Sequence, residues 1–204
     1  MDRDLVKSRG GTIMASADLY RLAGVSTWIA LVALVLSGVA IALFFGGAGA
    51  FWGPVNDSLI VLTAIALVPS AVAVARMAGE RAAPWTAVLT VAAIAGLILI
   101  AVGQTLLILG RLSLEGSYVT GGIGFVPVLA WLVLIAVLGL GESPIPDTVG
   151  RQAAVALAAI VLFSVIAALT RGPVLWVASI GLLVALSVWL AGLAATFGER
   201  ATTA

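Results

Sequence analysis

The sequence predicts an all-α polytopic integral membrane protein, built as a bundle of six transmembrane helices. Three observations predict this class: 63% of the 204 residues are hydrophobic, only 9% are charged, and the apolar residues form long unbroken runs. A soluble domain carries about 25% charged residues, and a fold of this size has too little interior to hide so much apolar surface. The runs do not alternate with polar residues as a β-barrel wall requires, so helices are expected.

Each helix is predicted from an apolar run of about 17–25 residues, the length that crosses the hydrocarbon core of a bilayer. None of the six runs contains a charged residue. The predicted spans are 22–45, 59–75, 85–109, 123–140, 153–169 and 174–197. They form one transmembrane domain, 22–198, between a cytoplasmic N-terminal leader at 1–21 and a cytoplasmic tail at 199–204.

The Lys and Arg residues between the spans predict the orientation of the chain. One side of the membrane receives Arg3, Lys7, Arg9, Arg21, Arg76, Arg81, Arg151 and Arg200, and the other side receives Arg111 and Arg171. Because cytoplasmic loops carry the excess of positive charge, both termini are predicted to be cytoplasmic. The expected location is the cell membrane, crossed several times.

The composition also excludes several classes of chemistry. The chain has no Cys and no His. It therefore lacks the residues of thiolate catalysis and of Cys-ligated metal centres, and it lacks the commonest metal ligand and general base. No cofactor or metal site is predicted. The net charge of +1, without a basic stripe, gives no indication of a nucleic-acid partner.

Polar residues at membrane depth are costly, so each is a candidate for a site. The candidates gather in the half predicted to face outwards: Asn56, Asp57, Gln104, Thr105 and Arg111. One interpretation makes Asn56, Asp57 and Ser58 the N-cap of the second helix, and makes Gln104 an interhelical hydrogen-bonding group. The alternative is a shallow polar cleft, in which Asp57 pairs with Arg111 or binds a ligand over Gln104 and Thr105.

Small residues predict where helices touch, because they let backbones approach each other in lipid. The third helix has Gly96, Gly103 and Gly110 at seven-residue spacing, and the sixth has Gly181 with Ala185. Contacts within the chain are the favoured interpretation, and a homo-oligomer or a membrane-protein partner is the alternative. All six tryptophans are predicted to form an interfacial belt in preference to a ligand cage; they are Trp28, Trp52, Trp85, Trp131, Trp176 and Trp189.

The stretch Phe51-Trp52-Gly53-Pro54-Val55-Asn56-Asp57, followed by Gly103-Gln104 and by Tyr118-Val119-Thr120-Gly121-Gly122, resembles uncharacterised bacterial six-span membrane proteins. The resemblance implies the membrane class and the six spans. It implies no activity, cofactor or catalytic residue.

Three functions are compatible with these features. The first is a non-catalytic accessory, scaffold or lipid- or partner-binding protein, favoured by the absence of His, Cys and buried charge. The second is a small-molecule or ion transporter that uses the cleft near Asp57, Gln104 and Arg111. The third is an intramembrane lipid-modifying enzyme, which would have to work with the carboxylates Asp57 and Glu115, or Glu142 and Asp147.

Overall fold

The computed structural model describes residues 16–79, 84–141, 144–170 and 173–203, and within them the chain forms six helices and no strand. The helices are α1 (Ser16–Phe45), α2 (Trp52–Ala78), α3 (Pro84–Ile108), α4 (Leu114–Leu140), α5 (Asp147–Leu169) and α6 (Pro173–Thr203). All six are long and apolar enough to cross a membrane, since about 20 residues suffice. The predicted class, an all-α protein of six transmembrane helices, is confirmed.

Several helices begin earlier than the apolar runs that predicted them. α2 begins at Trp52, seven residues before the run at 59–75, and α4 begins at Leu114, nine residues before the run at 123–140. Residues 16–21 of the predicted leader belong to α1, and residues 199–203 of the predicted tail belong to α6. Polar side chains interrupt an apolar run without interrupting the backbone hydrogen bonds of a helix, so hydropathy marked only the apolar part of each helix.

The turn between α3 and α4 is closed by backbone geometry. Gly110 has φ +66°, which suits a residue without Cβ. The Arg111 amide donates to Leu106 O at 2.8 Å and the Gly110 amide donates to Leu107 O at 2.9 Å, the pair of bonds that ends a helix in a Schellman motif. Ser113 then caps α4 by accepting the Gly116 amide at 3.1 Å.

The six helices form a ring. Each packs against its neighbours in sequence, and α6 closes the ring against α1. At the α1–α2 contact, Thr27 donates its hydroxyl proton to Ala23 O, so Ser70 is the donor in the 2.7 Å bond between the two hydroxyls. At the α1–α6 contact, the rings of Tyr20 and Phe197 stack with centroids 6.4 Å apart.

The two ends of the ring differ in packing. The terminal end is the end where α1 begins and α6 ends, and the far end holds the α1–α2 and α3–α4 turns. At the terminal end α4 and α5 touch backbone to backbone, since a Cβ on Gly139 would lie 2.5 Å from Gly150 Cα. Towards the far end, no residue of α5 from 161 to 169 is buried, and none of α6 from 174 to 188. These two segments are called the loose halves of α5 and α6.

The outside of the ring is apolar. Large side chains such as Val91, Val126 and Val177 are each about two-thirds exposed or more. Exposed apolar surface of this extent is typical of a lipid-facing wall and not of a soluble protein. Of the basic residues that predict the orientation, Arg3, Lys7, Arg9, Arg81 and Arg171 lie outside the described residues, as does Glu142.

Candidate functional site

Two of the predicted site residues, Asn56 and Asp57, lie at the far end in a hydrogen-bonded chain. Ser37 of α1 donates a 2.6 Å bond to Asn56 Oδ1 on α2, and Asn56 Nδ2 donates a 3.2 Å bond to Asp57 Oδ1. Asn56 is buried and Asp57 is half-buried. The chain of bonds joins α1 to α2 and holds the Asp57 carboxylate beside an amide.

The N-cap interpretation of Asn56, Asp57 and Ser58 is wrong. α2 begins at Trp52, so all three residues lie inside the helix. Ser58 uses its hydroxyl to donate to Pro54 O at 2.8 Å, one turn back along the same helix. Pro54 fits this position because the first amides of a helix have no intrahelical acceptor.

The other three predicted site residues do not join Asn56 and Asp57 through any hydrogen bond or ion pair of the described residues. Gln104 Oε1 is buried on α3 without a hydrogen-bond partner. Thr105 is exposed and donates to Ala101 O of its own helix at 2.8 Å. Arg111 is exposed in the α3–α4 turn, and the ion pairs of the described residues are Asp18–Arg21 and Asp147–Arg151.

A cavity of about 280 Å³ lies inside the ring, and all six helices contribute to its wall. One lining residue from each helix marks its position: Leu34, Leu67, Leu97, Trp131, Ile160 and Leu190. The cavity is not fully enclosed, and Phe125, which is 40% exposed, forms part of its wall. Sequence reasoning missed this cavity, since a hydropathy profile does not show which helix faces meet.

The wall of the cavity is almost entirely aliphatic and aromatic, and none of the described residues that line it is charged. Thr63 is the one hydroxyl-bearing residue of the wall, and it already donates to Leu59 O at 2.8 Å. Trp131 and Trp189 are the remaining polar side chains. Their rings meet edge to face, with centroids 6.1 Å apart and planes at 74°.

The predicted interfacial position is wrong for Trp131 and Trp189. Trp131 is 0% exposed and Trp189 is 5% exposed, and each lies well inside its helix, far from either end. The sequence contained a signal for this buried position. Both residues lie deep within a predicted span, whereas interfacial tryptophans lie close to the ends of a span. Neither indole Nε1 has a hydrogen-bond partner among the described residues.

The glycines of α3 contact α4 within the chain. A Cβ on Gly124 would lie 2.7 Å from Gly96 O, and a Cβ on Gly103 would lie 2.5 Å from Thr120 Oγ1. Gly110 ends α3 and belongs to the turn. On α6, by contrast, a Cβ on Gly181 would meet no atom within 4 Å, so this part of the small-residue surface is uncovered.

None of the described carboxylates lines the cavity. Among the described residues, no group of three carboxylate, Cys or His side chains lies close enough together to hold a metal ion. The two polar regions, around Asn56 and around the indole pair, lie on different helices and share no hydrogen bond.

Comparison with protein-family models, with curated proteins and with solved structures finds no significant match to this chain. The resemblance of 51–57 to uncharacterised bacterial six-span proteins therefore stays a prediction.

Proposed function

We propose that this chain is a non-catalytic, multi-pass protein of the cell membrane that binds a lipid-soluble molecule in its central cavity. The observation that carries the proposal is the cavity of about 280 Å³, lined by all six helices and free of charged side chains. Ligand sites are commonly concave and mostly apolar, with a few placed polar groups. An apolar cavity of about 150 Å³ is enough to bind benzene, so this cavity has room for a larger molecule.

A binding role is favoured over an enzymatic one by the chemistry of the wall. The chain has no His or Cys, and the carboxylates Asp57 and Glu115 do not line the cavity. An accessory or scaffold role is compatible with the same cavity. The uncovered surface around Gly181 on α6 is the place where a second copy or a membrane-protein partner would pack.

The proposed orientation has both termini in the cytoplasm. The charge bias of the loops supports it, with Arg76, Arg151 and Arg200 at the terminal end and Arg111 at the far end. In this orientation the loose halves of α5 and α6, and the Asn56–Asp57 pair, lie towards the outside of the cell.

Native mass spectrometry of the protein in lipid nanodiscs tests the proposed function. Gly121 lines the cavity, and a Cβ there meets no atom within 4 Å, so a side chain can start from this position without a clash and leucine is chosen to occupy the space. Gly122 has equally open surroundings but does not line the cavity, which makes Gly122→Leu a matched control. We expect a lipid-soluble molecule to copurify in stoichiometric amount with the wild type and with Gly122→Leu, but not with Gly121→Leu.

A copurifying molecule that stays bound to Gly121→Leu would contradict binding in the cavity. A wild type that carries no such molecule, and takes none up from a total lipid extract, would contradict the proposed function as a whole.

Transport is a second candidate, favoured by the arrangement of the far end. Asp57 is half-buried beside Asn56. Gln104 Oε1 has no hydrogen-bond partner among the described residues, and the loose halves of α5 and α6 contain no buried residue. Flux into liposomes that depends on Asp57 and Gln104 would support this function. If Asp57→Asn and Gln104→Leu leave every flux unchanged, transport through the cleft is excluded.

A further inference from the structure

The side chains of the cavity wall include hydrogen-bond donors without acceptors. Trp131 and Trp189 line the cavity, and each holds its indole N–H buried behind the cavity surface, where neither donor has a partner among the described residues. The Thr63 hydroxyl has already given its proton to Leu59 O. No carboxylate or side-chain amide lines the cavity to accept from the indoles.

The contact between the two indoles does not satisfy both donors. In an edge-to-face pair, one ring directs its edge at the face of the other. At most one N–H can therefore donate weakly to the partner's π face. At least one buried N–H is left without an acceptor, and a buried donor without an acceptor destabilises the protein.

We infer that the occupant of the cavity is a neutral lipophilic molecule whose oxygen, a carbonyl or an ether, accepts a hydrogen bond from the Trp131 or Trp189 indole. This inference rests on the proposed function and adds the chemical class of the ligand. A charged ligand is disfavoured because no lining residue carries a counter-charge. A pure hydrocarbon would fill the cavity but would leave the indole donors unpaired.

Both Nε1 atoms are covered by protein, so the acceptor reaches one of them only when a ring turns about its side-chain torsions. Binding should therefore separate the edge-to-face pair. Phospholipids are poor candidates, because their charged headgroups must stay at the membrane surface, whereas both tryptophans lie well inside their helices.

A matched pair of probes tests this inference. 2-Acetylnaphthalene and 2-ethylnaphthalene have nearly the same size, and only the first carries a carbonyl oxygen. Binding to the protein in nanodiscs is measured by equilibrium dialysis, which does not depend on the tryptophans, with partition into empty nanodiscs subtracted. We expect the wild type to bind the ketone roughly two- to ten-fold more tightly than the hydrocarbon, the effect of one net hydrogen bond.

The tryptophan variants identify the donor. Trp131→Phe, Trp189→Phe and the double variant keep an aromatic ring but remove the N–H. We expect the ketone preference to disappear in the double variant and in the single variant that removes the donor. Binding of 2-ethylnaphthalene to the same variant serves as the control for folding. Replacement by the benzothiophene analogue of tryptophan, in which sulfur replaces N–H, removes the donor with little change of shape.

The two proposals fail in different ways. A ketone preference that survives in the double variant, while Gly121→Leu abolishes binding of both probes, would overturn the inference and leave the cavity site in place. Binding of both probes that Gly121→Leu does not weaken, or no binding to the wild type, would overturn the proposed function itself.

Discussion

Gly139 of α4 and Gly150 of α5 lie in direct backbone contact: a Cβ on Gly150 would stand 2.6 Å from Gly139 C, and one on Gly139 would stand 2.7 Å from Gly150 N. Neither helix can move aside easily, because both are held at the terminal end by buried residues, such as Ala136 of α4 and Val149 of α5. The contact therefore constrains how α5 joins the ring through backbone atoms, which cannot rotate away.

Replacement of Gly139 by alanine should destabilise the protein. The added methyl group meets backbone atoms, which cannot rotate away as a side chain can, and overpacking of this kind costs about 1–3 kcal/mol of unfolding free energy. Gly181→Ala is the matched control, since its methyl group enters open space. Thermal unfolding in detergent should show a Tm below that of the wild type for Gly139→Ala and an unchanged Tm for Gly181→Ala. Equal Tm values for the two variants would contradict the contact.

The hydroxyl pair Thr27 and Ser70 should show a measurable coupling. A double-mutant cycle with Thr27→Val and Ser70→Ala isolates the 2.7 Å bond between α1 and α2. Interhelical hydrogen bonds in membrane proteins average about 0.6 kcal/mol and reach about 1.7 kcal/mol, and full burial of both side chains favours the upper part of this range. Thr105→Val in place of Thr27→Val should give no coupling to Ser70, because Thr105 bonds only within α3.

The orientation of the chain in the membrane can be determined with single-cysteine variants, because the chain itself contains no cysteine. Ala48→Cys places a thiol in the α1–α2 turn and Thr202→Cys places one near the end of α6, both at exposed positions. A membrane-impermeant maleimide should label Ala48→Cys in intact cells, and should label Thr202→Cys only after the membrane is permeabilised. The reverse pattern would invert the proposed orientation.

Filling the cavity should stabilise the protein once detergent has stripped the bound molecule from it. Gly121→Leu adds apolar atoms where the wall has few neighbours, and the new dispersion contacts should raise the unfolding free energy by on the order of 1 kcal/mol. Gly122→Leu gains the same helix propensity without filling the cavity, so the difference between the two variants measures the cavity alone. In the stripped protein, a Tm for Gly121→Leu below that of Gly122→Leu would contradict the open space beside Gly121.

The six helices were predictable because every apolar run has about 17–25 residues, the length that crosses the hydrocarbon core. The starts of α2 and α4 were not predictable in this way. Asn56, Asp57 and Glu115 resemble loop residues in a hydropathy profile, but they are helical in the structure. A helix needs only its backbone hydrogen bonds, and polar side chains near its end do not disturb them.

The candidate site was predicted only in part. The pairing of Asn56 with Ser37 depends on the rotation of α2 against α1, and the cavity depends on the rotation of all six helices. One sequence contains no information on rotation beyond the positions of its small residues. Gly96 and Gly103 did indicate a close contact, and α4 provides it through Gly124 and Thr120.

The closure of the ring between α1 and α6 has a consequence for synthesis in the cell. α1 and α6 are the two described helices farthest apart in sequence, yet Tyr20 stacks on Phe197, and Gly24 lies against Ala194 and Phe197. During translation, α1 enters the bilayer long before α6 leaves the ribosome. The side of α1 that packs against α6 therefore stays open to lipid or to an insertion chaperone until α6 inserts. The wall of the central cavity is complete only at that moment.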